Sequence, residues 1–380
     1  MKAREAAYLA LLASLREESY ISDYLEAWAR KEEPDAKDYA LAIQIAQGTM
    51  RMQRLLDHYA HQLATSLKLK QKERALLWMA LYQALLMDRI PLYALTDETV
   101  TLAKKYCHQT FVRFINAILR KIPKITFEGP SKIAIATSYP DYFVQQLFSH
   151  YGEEKSMTIL QNLNLPPVTT ARCRTTNEII TIENPKTVRD DKSLYIQNVT
   201  PITLVKELSK HLKTYPKRIL DLCAAPGGKA LFTHDLYPNA ELHVNDVSEK
   251  KLDKLRENFS KYGVEANYHV GTGEQFKSNS CFDLILLDVP CSNSGVLHRR
   301  AEARWRISDQ TICELIEKQK TLLANAKTLL SDGGTIWYFT CSILPQENEK
   351  ILESSGMKVV TSELILPNAP FDGGFGAALT

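Results

Sequence analysis

The sequence predicts an α/β protein in which a parallel sheet with helices on both faces follows an all-helical N-terminal region. Before residue 126, apolar residues recur at helical spacing, as in Tyr8, Leu11, Leu12 and Leu15. From about residue 216, short apolar runs alternate with helical segments, which is typical of a parallel sheet. The predicted strands cover residues 218–223, 241–245, 282–287 and 334–339.

The chain divides into three predicted domains. Residues 1–125 form an all-α bundle, and residues 216–380 form the domain that carries the parallel sheet. Between them, residues 126–215 predict a small α/β linker subdomain. It has a helix over 141–164 and short strands at 168–174 and 193–197.

Composition limits the class of protein and its compartment. The net charge is only +3, but residues 61–130 hold 11 Lys and Arg against 5 Asp and Glu, which fits either a basic footprint for nucleic acid or a solvated helix face. The seven cysteines are scattered without a CxxC pair, which predicts free thiols in a reducing cytosol and no metal site. No apolar stretch is long enough to span a bilayer. We therefore expect a cytoplasmic monomer that does not contact membranes.

A glycine-containing turn follows the first strand of the sheet. Residues 224–228 read Ala-Ala-Pro-Gly-Gly and open a helix, where ligands of parallel sheets bind. Asp246 stands at the end of the next strand, where a carboxylate can bind ribose hydroxyls, and Asp288 ends the third. An ordinary strand–helix turn is the alternative, but acidic residues at neighbouring strand ends favour ligand binding.

Two cysteines lie at the same predicted edge of the sheet. Cys291 closely follows the third strand and Cys341 follows the later one. A single cysteine there is more often an inert, buried residue. A thiolate that adds to carbon 6 of cytosine, however, would make carbon 5 nucleophilic enough to accept a methyl group. Asp288 is positioned to hydrogen-bond to the edge of the pyrimidine ring if it carries or shares a proton.

A basic segment with an inserted tryptophan, residues 298–306, follows Cys291. Its guanidinium groups suit phosphates, and Trp305 can stack on a base. The alternative is a solvated loop with one buried tryptophan. We predict that Arg299, Arg300 and Arg304 contact RNA.

Three motifs together resemble the RNA 5-methylcytosine methyltransferases. They are the string Asp-Leu-Cys-Ala-Ala-Pro-Gly-Gly-Lys at 221–229, Asp-Val-Pro-Cys at 288–291 and Thr-Cys-Ser at 340–342. The resemblance covers nearly the whole chain and is strongest to bacterial enzymes that act on small-subunit ribosomal RNA. The N-terminal third is similar to their helical NusB-like RNA-binding domain. The resemblance implies a Rossmann-like class I methyltransferase sheet.

The resemblance also implies roles that spacing alone leaves open. The thiol that matches Cys341 makes the covalent bond to carbon 6, and the one that matches Cys291 helps to release the product. S-adenosylmethionine is the implied cofactor, and RNA, with ribosomal RNA favoured, is the implied partner. The residues implied to lie against the cofactor are Cys223, Ala224, Ala225, Pro226, Gly227, Gly228, Lys229, Asp246 and Asp288.

Some positions depart from the family pattern. Thr272 replaces the usual Asp near the adenine, which predicts weaker cofactor binding, and residues 371–375 read as a reduced terminal strand. Two alternative functions therefore stay open. One is a non-catalytic RNA-binding or ribosome-assembly protein of the same fold, and the other is a transfer RNA cytosine-5 methyltransferase.

Overall fold

The computed structural model describes residues 1–64, 68–88, 90–183, 188 and 190–380. Within these ranges the chain forms two compact units. The helical unit comprises Met1–Gln145 and Arg300–Trp305, and the sheet unit comprises Gln146–Arg299 and Arg306–Thr380.

The helical unit is built around one apolar core. Its core includes the buried side chains Leu11, Trp28 and Leu76. The fourth helix is buried over Ala75–Gln83, on nearly every face, which is typical of a helix inside a protein core. The helices are α1 (Ala3–Leu15), α2 (Ile21–Glu32), α3 (Ala36–Leu63), α4 (Gln71–Leu85), α5 (Leu92–Tyr106), α6 (Gln109–Lys121) and α7 (Ile133–Ala136).

A short segment from late in the sequence completes the helical unit. Residues 300–305 lie mostly in a single 3₁₀ helix (Ala301–Arg306), and Ala301 is fully buried in the helical core. The indole of Trp305 donates to the carbonyl oxygen of Met50 at 3.0 Å. Periodicity along the first 125 residues could not predict this, because the segment is distant in sequence.

The remaining elements are helices and strands. They are α8 (Asp141–Asn162), β1 (Thr170–Cys173), β2 (Ile179–Thr181), β3 (Leu194–Ile196), α9 (Val199–Ser209), β4 (Arg218–Asp221), α10 (Gly228–Leu236), β5 (Glu241–Asp246), α11 (Glu249–Tyr262), β6 (Asn267–Val270), β7 (Phe282–Asp288), α12 (Asp309–Thr328), β8 (Leu330–Thr340), α13 (Glu349–Ser354), β9 (Val359–Ile365) and β10 (Gly374–Leu379).

The large sheet has the strand order β6-β5-β4-β7-β8-β10-β9. The first five of these strands run parallel, and β10 is antiparallel to both of its neighbours. The chain leaves β4 toward β5 and later returns on the other side to β7, so the switch point lies between β4 and β7. This confirms the predicted Rossmann-like sheet. The terminal hairpin β9–β10 is more extensive than the reduced strand predicted over residues 371–375.

The small sheet has the order β2-β1-β3 and is antiparallel. Arg172 and Arg174 on and beside β1 both bind the carboxylate of Asp235 in α10, at 2.6 Å each. Arg172 is fully buried and also lies over the Phe232 ring. These contacts join the small sheet to the sheet unit, which therefore includes most of the middle domain predicted at 126–215. Helix α8 was predicted, but its backbone is non-helical at Gly152.

Candidate active site

The turn between β4 and α10 depends on Gly227. Its backbone φ is +99°, and a Cβ atom there would lie 2.0 Å from Leu255 Cδ1. Only glycine adopts this conformation without strain and without that clash. Gly227 is also the residue before the first turn of α10, so the turn presents the free N–H groups of a helix N-terminus at the end of β4.

Asp246 closes the same part of the crevice from β5. Its carboxylate accepts from the N–H groups of Ala225, at 3.3 Å, and Ser248, at 3.1 Å. The residue is 6% exposed. The structure therefore brings the predicted turn and the predicted acidic residue into direct contact. Thr272, which follows β6, is exposed.

Lys229 and Asp288 form an ion pair across the crevice. Lys229 Nζ lies 2.6 Å from Asp288 Oδ2 and 5.4 Å from the centroid of the Phe339 ring. Burial disfavours the charged lysine, but the Asp288 carboxylate outweighs it and raises the pKa of Lys229. The sequence predicted both residues at the site but not their pairing. The pair supplies a proton-bearing group beside a carboxylate.

Asp221 and Cys223 lie beneath this pair. Burial, followed by the charge of Asp288, raises the pKa of Asp221 to about 8. Burial and the Asp221 charge also raise the pKa of Cys223. Cys223 therefore stays a neutral thiol that fills space under the turn.

The two predicted cysteines meet at the carboxyl ends of β7 and β8. Cys291 Sγ and Cys341 Sγ are 3.1 Å apart, and both residues are half-buried and free of disulfides. The amide of Asn293 lies between the two loops. Its oxygen is 3.3 Å from Cys341 Sγ, and its nitrogen donates to the Cys291 carbonyl at 3.0 Å. The structure thus places the two thiols in contact at this edge of the sheet.

The surroundings of Cys291 favour its protonated form. Its hydrogen bond with Cys341 has the largest effect, followed by burial and the charges of Cys341 and Glu347. Together they raise the pKa of Cys291 well above its ordinary value. Cys291 is thus a hydrogen-bonding thiol next to the sulfur of Cys341. Composition and spacing alone did not distinguish the two cysteines.

Sequence reasoning missed a buried polar cluster behind the thiols. Glu347 and Asn348 are fully buried and contact the residues that follow the two cysteines, Ser292 and Ser342. The signal in the sequence was a Glu-Asn pair close after the Thr-Cys-Ser motif. Without the fold, that pair is indistinguishable from an ordinary helix start.

The basic segment after Cys291 is largely structural. Arg304 is fully buried and donates to the carbonyl oxygens of Arg51 and Ser138, at 3.0 and 3.1 Å. The prediction that Arg304 contacts RNA is therefore wrong, because its donors bind protein carbonyls away from solvent. Arg299 pairs with Asp372 at 2.7 Å. Arg300 is exposed and lies over a tyrosine ring, so its RNA contact stays a prediction.

The crevice fits a cofactor with a charged amino-acid end and a ribose. The Asp246 carboxylate suits ribose hydroxyls, and the N-terminus of α10 suits a carboxylate. Gln197 supports this assignment, because its buried Oε1 atom has no hydrogen-bond partner. Its Nε2 atom lies 3.0 Å from where a Cβ of Gly228 would stand. An unsatisfied buried acceptor beside the turn is available for a donor on the ligand.

Other kinds of site are not evident in the described ranges. No group of three or more His, Cys, Asp or Glu side chains there is arranged to hold a metal ion. No helix in the part of the chain that the structure describes combines the length and apolarity needed to cross a bilayer.

The fold and the site define the class: an S-adenosylmethionine-dependent methyltransferase preceded by a helical domain. Residues 211–367 match the family model for the 16S rRNA methyltransferases RsmB/F, and residues 1–124 match the model of the NusB family. The chain therefore carries an RsmB/F methyltransferase domain within its sheet-bearing part and a NusB domain at its N-terminal part.

The chain is similar to curated relatives in sequence and to solved structures in fold. The ribosomal RNA small subunit methyltransferase B of Photorhabdus laumondii is 28% identical over 346 residues, 82% of this chain and 80% of that protein. The crystal structure of PH0851 has the same fold, with a TM-score of 0.82 at 20% identity and coverage of 100% of this chain and 99% of that one. A methyltransferase homologue from Pyrococcus horikoshii superposes with a TM-score of 0.56 at 20% identity, over 65% of this chain and 96% of its own.

Proposed function

We propose that this chain methylates carbon 5 of a cytosine in small-subunit ribosomal RNA, with Cys341 as the covalent nucleophile. The observation that carries the proposal is the pair of thiols 3.1 Å apart at the strand ends that form the cofactor crevice. Carbon 5 of cytosine is a weak nucleophile, and a neighbouring thiol is the group that can activate it.

The first step is addition of the Cys341 thiolate to carbon 6. The new sulfur–carbon bond moves the electron pair of the 5,6 double bond toward carbon 5 and the ring amide. The turn and Asp246 would hold S-adenosylmethionine, which when bound would supply an electrophilic methyl group for carbon 5. The Lys229–Asp288 pair is placed to donate a hydrogen bond to the ring edge, where negative charge develops.

The second step releases the product. A water molecule takes the proton from carbon 5, and that electron pair re-forms the double bond. The carbon 6–sulfur bond breaks, and its electrons return to Cys341. The Cys291 thiol, which stays protonated, hydrogen-bonds to the leaving sulfur and stabilises it as a thiolate. The net products are the methylated base, S-adenosylhomocysteine and one proton.

Recognition of RNA is supported by an exposed cationic face on α6. Arg113, Ala117 and Arg120 on α6 and Lys124 just after its end recur at helical spacing and are all exposed. Helix α6 contains no acidic residue, and none of its three cations takes part in an ion pair within the described ranges. A one-sided cationic helix face suits the phosphates of RNA. The relatives' name, ribosomal RNA small subunit methyltransferase B, favours ribosomal RNA as the substrate.

The test is a denaturing gel of Cys291→Ala protein after incubation with small-subunit ribosomal RNA and S-adenosylmethionine. We expect a slow-migrating protein–RNA band, because the leaving sulfur loses its hydrogen-bond donor. The band should vanish when Cys341→Ala is added. Cys313→Ala, which changes an exposed cysteine on α12, is the matched control and should turn over normally.

Two outcomes would refute the proposal. A freely dissociating, fully active Cys291→Ala protein would remove the release role of that thiol. Normal RNA binding with no adduct and no methylation would instead favour a non-catalytic ribosome-assembly protein. Bisulfite sequencing of RNA from a deletion strain distinguishes ribosomal from transfer RNA substrates.

A further inference from the structure

A buried carboxylate lies directly behind the two thiols. Glu347 is fully buried, and its two oxygens accept four hydrogen bonds. The Ser292 N–H and Gln319 Nε2 donate to Oε1 at 2.8 and 3.1 Å, and the hydroxyls of Ser292 and Ser342 donate to Oε2 at 2.5 Å each. Within the described ranges, no lysine or arginine forms an ion pair with Glu347.

The donors of these hydrogen bonds connect the Glu347 carboxylate to both cysteines. Ser292 directly follows Cys291, and Ser342 directly follows Cys341. One carboxylate oxygen therefore joins the loop after β7 to the loop after β8. Further bonds join the same loops, because the Ser294 and Ser342 hydroxyls are 2.9 Å apart and Gly295 N donates to the Cys341 carbonyl at 2.9 Å.

An unpaired charge of this kind is costly unless every lone pair finds a donor. Stability alone does not require it, since neutral side chains of similar shape can replace buried ionic groups at little cost. Its four charge-assisted bonds are, however, strong and directional. A carboxylate held this way restricts the relative positions of the atoms that donate to it.

We infer that Glu347 is a positioning residue for the reaction, whose carboxylate holds the Cys291 and Cys341 loops so that their two sulfur atoms stay in contact. The catalytic role of Glu347 rests on the proposed function. The hydrogen bonds of Glu347 to both cysteine loops do not depend on the substrate. Glu347 acts through the two cysteines.

The negative charge of Glu347 adds a second effect. It is among the causes that raise the pKa of Cys291, after the hydrogen bond to Cys341, burial and the Cys341 charge. Glu347 thus helps to keep Cys291 a thiol, the form that can donate to the sulfur of Cys341.

The test compares Glu347→Gln with Glu353→Gln. Glutamine keeps the size of Glu347 but removes its charge and one acceptor oxygen, and Glu353 is an exposed control on the adjoining helix α13. Alkylation of the purified protein by iodoacetamide is followed from pH 6 to pH 10, with each cysteine resolved by tandem mass spectrometry. We expect the alkylation midpoint of Cys291 to move to lower pH in Glu347→Gln and to stay unchanged in Glu353→Gln.

Turnover gives the second readout. Glu347→Gln should lower kcat at least tenfold while KM for RNA changes less than twofold, because RNA and cofactor contacts are untouched. Glu347→Asp keeps the charge but shortens the side chain. Its alkylation profile should therefore be closer to that of wild type than its kcat is. If Glu347→Gln fails to fold, Ser342→Ala, which removes one of the four bonds, should give a smaller loss of kcat.

Unchanged alkylation and unchanged kcat in a folded Glu347→Gln protein would overturn the inference. The alkylation assay needs neither RNA nor methyl transfer. If alkylation shifts but Cys291→Ala protein never forms the covalent band with RNA, the proposed function fails and the positioning of the thiols stands. If the band forms and alkylation does not shift, only the inference about Glu347 fails.

Discussion

Replacement of Arg304 by alanine tests whether the basic segment after Cys291 is structural. The guanidinium of Arg304 is fully buried in the helical unit and donates to the carbonyl oxygens of Arg51 and Ser138. It also lies 4.2 Å from the centroid of the Tyr139 ring. Arg304→Ala would leave both carbonyls without these donors and would remove the contact with the ring.

The size of the effect follows from these contacts. Each buried carbonyl that loses its donor costs roughly 1–3 kcal/mol, and a desolvated cation–π contact contributes about 2 kcal/mol. The substitution also relieves the cost of burying a cation, which lowers the pKa of Arg304 to about 10. Because that relief offsets part of the loss, we expect the helical unit to lose about 2–4 kcal/mol of unfolding free energy.

Tryptophan fluorescence during urea denaturation measures this loss. Trp28, Trp78 and Trp305 lie in the helical unit and only Trp337 lies in the sheet unit, so the signal reports mainly on the helical unit. Arg306→Ala, which changes an exposed arginine two residues later, is the matched control and should change stability by less than about 0.5 kcal/mol.

The competing reading makes the opposite prediction. If Arg304 contacted RNA phosphates, Arg304→Ala would keep its stability and lose RNA affinity. A variant within about 0.5 kcal/mol of wild type that binds RNA at least tenfold more weakly would refute the structural role. We expect the folded variant to bind RNA within twofold of wild type.

Three further predictions concern the cofactor, the buried acid and the RNA face. Thr272→Asp should tighten S-adenosylmethionine binding about fivefold by calorimetry, because a charged acceptor binds a donor about 1 kcal/mol more strongly than a neutral one; equal affinity would argue against an adenine contact. The pKa of Asp221 is about 8 in the folded chain, above its ordinary value of 3.8. Between about pH 4 and pH 8 the folded chain therefore keeps a proton that the unfolded chain has lost. As a result, the free energy of unfolding falls as pH rises through this range. Asp221→Asn removes this dependence, so the variant should exceed wild type in unfolding free energy, measured with urea, by more at pH 8 than at pH 5. An equal difference at the two pH values would contradict the pKa shift. Arg113→Glu with Arg120→Glu should weaken RNA binding at least tenfold in filter binding and flatten its salt dependence, while cofactor binding stays unchanged; unaltered RNA affinity would exclude the α6 face.

Local patterns were sufficient to place the principal site residues. Asp246 and Asp288 end strands that run parallel, and Cys291 and Cys341 follow the ends of neighbouring strands. Because parallel strands end at one edge of a sheet, their positions in the chain already predicted that they meet. The turn at Gly227 was predictable for a similar reason, since a glycine between a strand and a helix marks a backbone shape that other residues avoid.

The tertiary structure decided which charged groups are buried and which stay exposed. Arg304 and Arg300 are four residues apart in one basic segment, yet the first is buried and the second is exposed. The Lys229–Asp288 pair and the bonds of Glu347 to two separate loops likewise join residues distant in sequence. Sequence periodicity reports which face of an element is apolar, but the environment of a charge depends on what the rest of the chain brings to it. That environment exists only once the chain has folded, and it alone distinguishes a phosphate ligand from an internal hydrogen-bond donor.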